Sequence, residues 1–363
     1  MKFPITKPSI THYEISKVFD AVKNGWGENC YSYISKFERE LKKYLNVKYV
    51  ISTSSCFGAI TLALKSIGIK KGDEIILADI NWIATVAPII HLGAKPIFVD
   101  IDPFSWCIDP KEVEKKITKK TKAIIAVHLY GNICDLKSLK NISKKYKISL
   151  IEDAAEALGS SINKKKVGTF GEFGCYSFHG TKTITTGEGG ALVTNSKKLY
   201  KIALKLSDHG KNQKKQFWSD LIGYKFKMSN LQAALGYAQI KRVDKIIKKK
   251  IKIFKLYKKY LNTKNIFLNP NKKGEVNSYW MPTVILKKSL RVNRVDIFKE
   301  LKKNKIDNRV FFYPLSILPM FKTNKKNKIS YNIYKNGFNL PSYFDMSEGD
   351  IKKISKILNK FIS

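Results

Sequence analysis

Residues 122–153, KAIIAVHLYGNICDLKSLKNISKKYKISLIED, contain a complete strand–helix–strand unit. The run Lys122–Tyr130 is apolar on both faces at AIIAV, as a strand covered from two sides must be. Asp135–Tyr146 carries a helical pattern, and Ile148–Asp153 is again a short apolar strand. Two strands joined by a helical crossover lie parallel in one sheet, with the helix packed on its face. The unit ends in Glu152-Asp153, so a carboxylate falls at the carboxyl edge of the sheet, where proteins of this class bind ligands.

The same alternation extends to both sides. Strands are expected at Val47–Thr53, Glu74–Asp79, Lys95–Asp102, Phe173–Phe178 and Gly190–Thr194, and helices at Ser55–Ile67 and Pro110–Ile117. The fold class is therefore α/β, a mostly parallel central sheet flanked by helices. After Asn195 the pattern turns helical. Met228 to about Leu261 is expected as one helix, with Ser229 or Asn230 capping its start. Val243, Ile247, Ile251, Phe254, Tyr257 and Leu261 form its apolar stripe, and lysines fill the opposite face. Beyond the Asn-Pro-Asn-Lys-Lys-Gly turn at 269–274, strands are expected near Tyr279–Leu286 and Arg309–Tyr313, with a closing helix after Ser347. The division predicted is a large domain over 1–245, opened by a helical segment, and a small α+β domain over 246–363.

The chain has 363 residues, of which 44% are hydrophobic, enough for a full core and too many for a disordered chain. Its 68 basic and 29 acidic residues give a formal charge of +39. Five of the basic residues are arginines (Arg39, Arg242, Arg291, Arg294 and Arg309), leaving 63 lysines. Readers of phosphate and base edges favour the forked guanidinium over the lysine point charge. Lys, Ile and Asn are abundant together from end to end, which points to compositional drift rather than to a nucleic-acid surface. The positive field still suits an anionic substrate. Cys30, Cys56, Cys107, Cys134 and Cys175 show no metal-ligand spacing and read as reduced thiols. No apolar run reaches the ~20 residues of a membrane span. The expectation is a cytoplasmic protein without metal or membrane attachment.

The densest chemical signal is Ser177-Phe-His-Gly-Thr-Lys182-Thr-Ile-Thr-Thr-Gly187-Glu-Gly-Gly190. It follows a strand and is closed by glycines that let backbone approach a ligand. A lysine there and an acid at Asp153 are what pyridoxal 5'-phosphate needs. The lysine forms a Schiff base, and the acid keeps the pyridine nitrogen protonated so that the ring accepts electrons.

Asp153-Ala-Ala-Glu156-Ala, the block around Lys182 and Met228-Ser-Asn230-Leu-Gln-Ala-Ala together resemble the DegT/DnrJ/EryC1/StrS family of sugar aminotransferases. The likeness runs from about residue 10 to the C-terminus. It implies the fold type I of pyridoxal-phosphate enzymes and a homodimer with shared active sites. The implied reaction moves an amino group from L-glutamate to a nucleotide-linked 4-keto-6-deoxy sugar. GDP-4-keto-6-deoxymannose is the first expectation, and UDP- or dTDP-4-keto-6-deoxyglucose the alternative. Lys182 is then Schiff-base former and proton carrier, Asp153 the partner of the pyridine nitrogen, and Glu156 a neighbour of the ring hydroxyl. Trp82 matches the aromatic stacked on the ring, and Ser177 a phosphate-binding hydroxyl. Asn230 matches a residue reaching the phosphate from the second subunit. Related dehydratases carry histidine in place of the lysine, so Lys182 favours transamination.

Two departures accompany the resemblance. The phosphate loop is Ser54-Ser55-Cys56-Phe57-Gly58 where many relatives have Gly-Thr. Amides at a helix N-terminus do the holding there, so Cys56 and Phe57 can serve through their N–H groups, with Ser54 or Ser55 offering hydroxyls. Ser316 stands where several relatives carry histidine. Lys227 is expected at the substrate's diphosphate, Tyr313 at its sugar, and His209 at the pocket's edge. His179 and Glu188 are weaker candidates, an acid–base group and a turn residue. The competing class is a basic nucleic-acid-binding regulator on the same scaffold, against which an intact Asp153, Ser177 and Lys182 argue.

Overall fold

A computed structural model describes residues 2–212, 214–290, 292–321 and 327–363. Seven strands form the main sheet: β1 (Tyr49–Thr53), β2 (Glu74–Ala78), β3 (Lys95–Val99), β4 (Thr121–Val127), β5 (Ser149–Asp153), β6 (Phe173–Ser177) and β7 (Gly190–Thr194). Their order is β1-β7-β6-β5-β4-β2-β3. Strand β7 runs antiparallel to both its neighbours, and every other pairing is parallel. Alternate residues of the AIIAV run enter different cores. Ile124 and Ala126 join one cluster, while Ala123, Ile125 and Val127 join the other. Both faces are thus dry, which is why no polar residue interrupts the run.

Helices α1 (His12–Asn24), α2 (Ser32–Leu45), α3 (Cys56–Ser66), α4 (Ile83–His91), α5 (Pro110–Glu114), α6 (Leu136–Tyr146) and α7 (Lys197–Ser207) belong to this first part of the chain. Helix α4 escaped the sequence reading because Pro88 lies inside it. Strand β4 stops at Val127 rather than at Tyr130, because Tyr130 turns to φ +56°. The helix expected over Met228–Leu261 is two: α8 (Asn230–Lys241) and α9 (Val243–Tyr260). Arg242 breaks them with φ −112° and ψ 4°. Its guanidinium bonds the carbonyl and hydroxyl of Ser9 and the buried Glu14 carboxylate, contacts that no single-helix pattern records. Ser229 caps α8 through a capping box with Gln232.

The C-terminal part holds α10 (Arg294–Lys303), α11 (Lys328–Asn336) and α12 (Glu348–Ile362). They cover an antiparallel sheet of β8 (Ile266–Leu268), β9 (Thr283–Leu286), β10 (Arg309–Val310) and β11 (Gly337–Asn339), in the order β8-β9-β11-β10. The strand expected from Tyr279 begins only at Thr283, since Tyr279 has φ +49°. Helix α9 feeds two cores. Val243, Ile246 and Ile247 pack beneath the main sheet, whereas Ile253, Tyr257 and Leu261 pack with α10 and α12. Lys250 lies midway, 5% exposed, donating to Trp280 O (3.2 Å), Ser342 O (2.6 Å) and Ser342 Oγ (3.2 Å). Among the described residues, no helix is long and apolar enough to cross a membrane.

Candidate active site

A cavity of about 440 Å³ opens at the carboxyl edge of the main sheet. Its floor comes from strand ends: Val127 of β4, Asp153 of β5 and Ser177 of β6. The N-terminus of α3 forms one side, and Trp280, Arg309 and Phe312 of the C-terminal part form another.

Asp153 is buried with both carboxylate oxygens already aimed. Oδ2 accepts the Thr85 hydroxyl at 2.6 Å, and Oδ1 accepts the Ala155 N–H at 3.0 Å. Glu156 follows one turn later and accepts the Tyr130 N–H at 2.9 Å. Burial pushes the Glu156 carboxyl above its usual range, against the charge of Lys182 that favours ionisation. Lys182 Nζ stands 3.4 Å from Glu156 Oε1 and 4.0 Å above the centroid of the Trp280 ring. The Trp280 indole donates to Thr181 O at 2.7 Å, so one tryptophan holds both the lysine loop and the lysine head.

The loop from β6 to β7 closes on itself through Phe178 N to Gly189 O (2.9 Å) and Thr186 N to Phe178 O (2.8 Å). Gly189 has φ +154°, a conformation open only to glycine. Gly190 lies against the start of α3, where a Cβ would come within 2.5 Å of the Cys56 nitrogen. Ser55 caps α3, its hydroxyl accepting from Gly58 N at 3.1 Å, which leaves the Cys56 and Phe57 amides facing the cavity without intrahelical partners. Burial, then Asp153, push the Cys56 thiol up, so it stays a neutral wall. Helix N-terminal amides without intrahelical partners, a buried acid and a lysine converge on one cavity. These residues fit pyridoxal 5'-phosphate.

The structure brings Ser55, Cys56, Phe57, Trp82, Asp153, Glu156, Ser177 and Lys182 together in this cavity. Trp82 is 58% exposed, its ring 6.1 Å from that of Phe312, so it is a wall of the cavity and not core. His179 and Glu188 also line it, 3.4 Å apart at Nε2 and Oε1. Other expected residues lie elsewhere in the chain. Lys227 sits in a second hollow beside Trp26 and Tyr31, 3.6 Å from Asp208. Burial alone would raise the Asp208 carboxyl, but Lys211, Lys227 and Lys225 hold it down to about 2. His209 has φ +58° on the rim of a basic loop with Lys211, Lys214 and Lys215. Tyr313 turns from the cavity to pack on Tyr334 at 5.6 Å.

Asn230 lines the hollow of Lys227, and its amide is fully engaged. Its oxygen accepts Tyr33 N (2.9 Å), and its nitrogen donates to Gly25 O and Asn29 O (both 3.3 Å). Ser316 is buried, bonding Asp79 through N (2.8 Å) and Oγ (2.7 Å), so it clamps the C-terminal part onto β2. Thr85, Trp280, Arg309 and Phe312 were not singled out from the sequence. Thr85 rides on the unforeseen α4, and the others come from segments far away in the chain. Arg309 and Phe312 stood in the stretch Arg309-Val-Phe-Phe-Tyr-Pro314, which resembles the family's substrate-side strand, with no role given to either residue.

A profile of the DegT/DnrJ/EryC1/StrS aminotransferase family matches residues 8–359. A GDP-perosamine synthase of Vibrio cholerae is 37% identical over 99% of both chains, and one of Escherichia coli is 38% identical over the whole of both. Among solved structures, Helicobacter pylori PseC, an aminotransferase involved in the biosynthesis of pseudoaminic acid, superposes with a TM-score of 0.92 at 25% identity over 99% of both chains. A candidate sugar aminotransferase of Streptococcus pneumoniae in its PMP form gives a TM-score of 0.91 at 26% identity, over 99% of this chain and 98% of its own.

Proposed function

The chain belongs to the DegT/DnrJ/EryC1/StrS aminotransferase family and works with pyridoxal 5'-phosphate, and from that premise we propose that it converts GDP-4-keto-6-deoxymannose to GDP-perosamine with L-glutamate as amino donor. The observation that carries the chemistry is the single cavity shared by Asp153, Lys182 and the α3 amides. The sugar follows from the end-to-end likeness to the two GDP-perosamine synthases.

Bound in this cavity, pyridoxal phosphate supplies an electron sink for a carbanion next to nitrogen. Asp153, fixed by Thr85 and Ala155, holds the proton on the ring nitrogen. The Cys56 and Phe57 amides and the Ser177 hydroxyl take the phosphate, while Trp82 covers the ring. Lys182 Nζ removes the proton from the glutamate Cα, and in the second half-reaction delivers one to the sugar C4. Glu156 holds the Lys182 ammonium in the cavity when the lysine is free. Across the two half-reactions the amino group and the keto oxygen change places, giving 2-oxoglutarate and the 4-amino sugar.

A cytoplasmic homodimer with shared sites is part of the same reading. The outer face of α1 supports it: Ile15, Phe19 and Val22 recur at helical spacing, Trp26 folds back beside them just past the helix, and all four are more than half exposed. With its amide engaged in its own chain, Asn230 serves such a dimer by shaping the 25–33 segment. Incubating the holoenzyme with L-glutamate and each of the GDP-, UDP- and dTDP-linked 4-keto sugars, with mass spectrometry of the products, tests the assignment. Amination of the GDP sugar at the highest kcat/KM is expected. Equal use of all three, or preference for another base, overturns it.

A further inference from the structure

Lys250 is 5% exposed, and its Nζ donates to neutral oxygens: Trp280 O (3.2 Å), Ser342 O (2.6 Å) and Ser342 Oγ (3.2 Å). Among the described residues no carboxylate pairs with it. An ammonium moved from water to such acceptors costs stability that a packed apolar side chain would not. What that cation holds in place is therefore informative.

One of its acceptors belongs to Trp280, whose ring seats Lys182 Nζ 4.0 Å from the centroid. The backbone bends just before it, with Tyr279 at φ +49°, a conformation that a bulky residue keeps only when its surroundings hold it there. Helix α9 does the holding from two positions one turn apart. The Phe254 ring stacks on that of Tyr279 at 3.6 Å, and Lys250 takes the Trp280 carbonyl. At its far edge the indole N–H is tied to Thr181 O at 2.7 Å. The tryptophan is thus pinned at its backbone by α9 and at its edge by the lysine loop. Lys250 and Lys182 also line a common space of about 10 Å³, room for one water at most.

We propose that Lys250 is a positioning residue for proton transfer, fixing the Trp280 ring beneath the Lys182 amine. A freed Lys182 carries its proton as an ammonium, and an indole face stabilises that charged form. The ring must stand still for this, because the attraction is confined to about 6 Å from its centroid. Glu156 supplies the opposite charge, so the ammonium rests between ring and carboxylate. Lys250 does not line the cofactor cavity, so its effect passes through the tryptophan.

The inference rests on the aminotransferase reading, and the experiment keeps the two apart. Holoenzyme is mixed with L-glutamate in stopped flow, and the loss of the cofactor's visible band is followed. In Lys250→Met the rate at saturating glutamate should fall about three- to thirtyfold. The glutamate concentration giving half that rate should stay within about twofold, since binding is untouched. Lys250→Arg, which keeps the donors, should recover most of the rate. Trp280→Leu should be slowed as well, and adding Lys250→Met to it should slow it no further, because the ring is already gone. Covalent capture of pyridoxal phosphate by the Lys250→Met apoenzyme should slow likewise. If Lys250→Met does not fold, Lys250→Gln takes its place with the same expected results. An unchanged saturating rate, or full additivity with Trp280→Leu, overturns the proposal. A wild-type band indifferent to glutamate defeats the glutamate-donor reading instead, and the same comparison is then made with the amino acid that does bleach it.

Discussion

Thr85 and Asp153 share a buried hydrogen bond of 2.6 Å between α4 and the end of β5. It fixes the carboxylate plane before any ligand arrives. Thr85→Val removes the hydroxyl at nearly constant shape. Cofactor affinity and kcat/KM should each fall about five- to thirtyfold, with the melting temperature little changed. Dialysis followed by absorbance reads the first, and steady-state kinetics the second. Undiminished cofactor retention would show that Thr85 is a bystander.

Lys182→Ala should lower turnover by a factor of about 10³ or more, because both proton carrier and covalent anchor go. The α3 amides and Asp153 remain, so the variant should still take up cofactor without covalent attachment, seen as a shifted visible band. Full activity in Lys182→Ala would sink the mechanism.

Gly190→Ala places a methyl group 2.5 Å from the Cys56 nitrogen and from the Ser55 carbonyl carbon. Backbone on both sides leaves no soft neighbour to move. The α3 amides must shift, and cofactor affinity should drop about tenfold or more. Fluorescence titration with pyridoxal phosphate, beside circular dichroism for the fold, checks this. Native affinity would mean those amides are not the phosphate cradle.

Lys250 carries a pH signature. Burial lowers its pKa from the usual value near 10.5 to about 7. Between these values the unfolded chain holds a proton that the folded chain lacks, so this group makes stability rise with pH. The slope is about 1.4 kcal/mol per pH unit. Lys250→Met lacks that contribution. Wild type should therefore gain on the variant from pH 7 to pH 10 in denaturant unfolding. Parallel stability curves would mean that Lys250 stays charged, satisfied by the carbonyls of Trp280 and Ser342 and the Ser342 hydroxyl.

The main sheet was legible because its strands are buried on both faces, and hydrophobicity alone marks them. Strand β7 falls where expected, residue for residue. Asp153 ends one such strand and Lys182 lies in the loop that follows another, which is why the sequence marked both as candidates. What escaped depends on contacts distant in sequence. Arg242 ends a helix that its own periodicity would continue, because Glu14 and Ser9 hold it. Trp280 lies 98 positions beyond Lys182, and nothing local marks an aromatic as the seat of a particular ammonium. Ser316 stood out only as a departure from the family, and nothing local in the sequence shows that its partner is Asp79.

Helix α9 has one end in the core beneath the main sheet and the other among α10 and α12, with Lys250 riveted between. A beam rooted in both halves resists scissoring, since the halves cannot swing apart without bending it. A hinged vessel would reshape itself at every cycle, and a helix clamped at both ends opposes that reshaping.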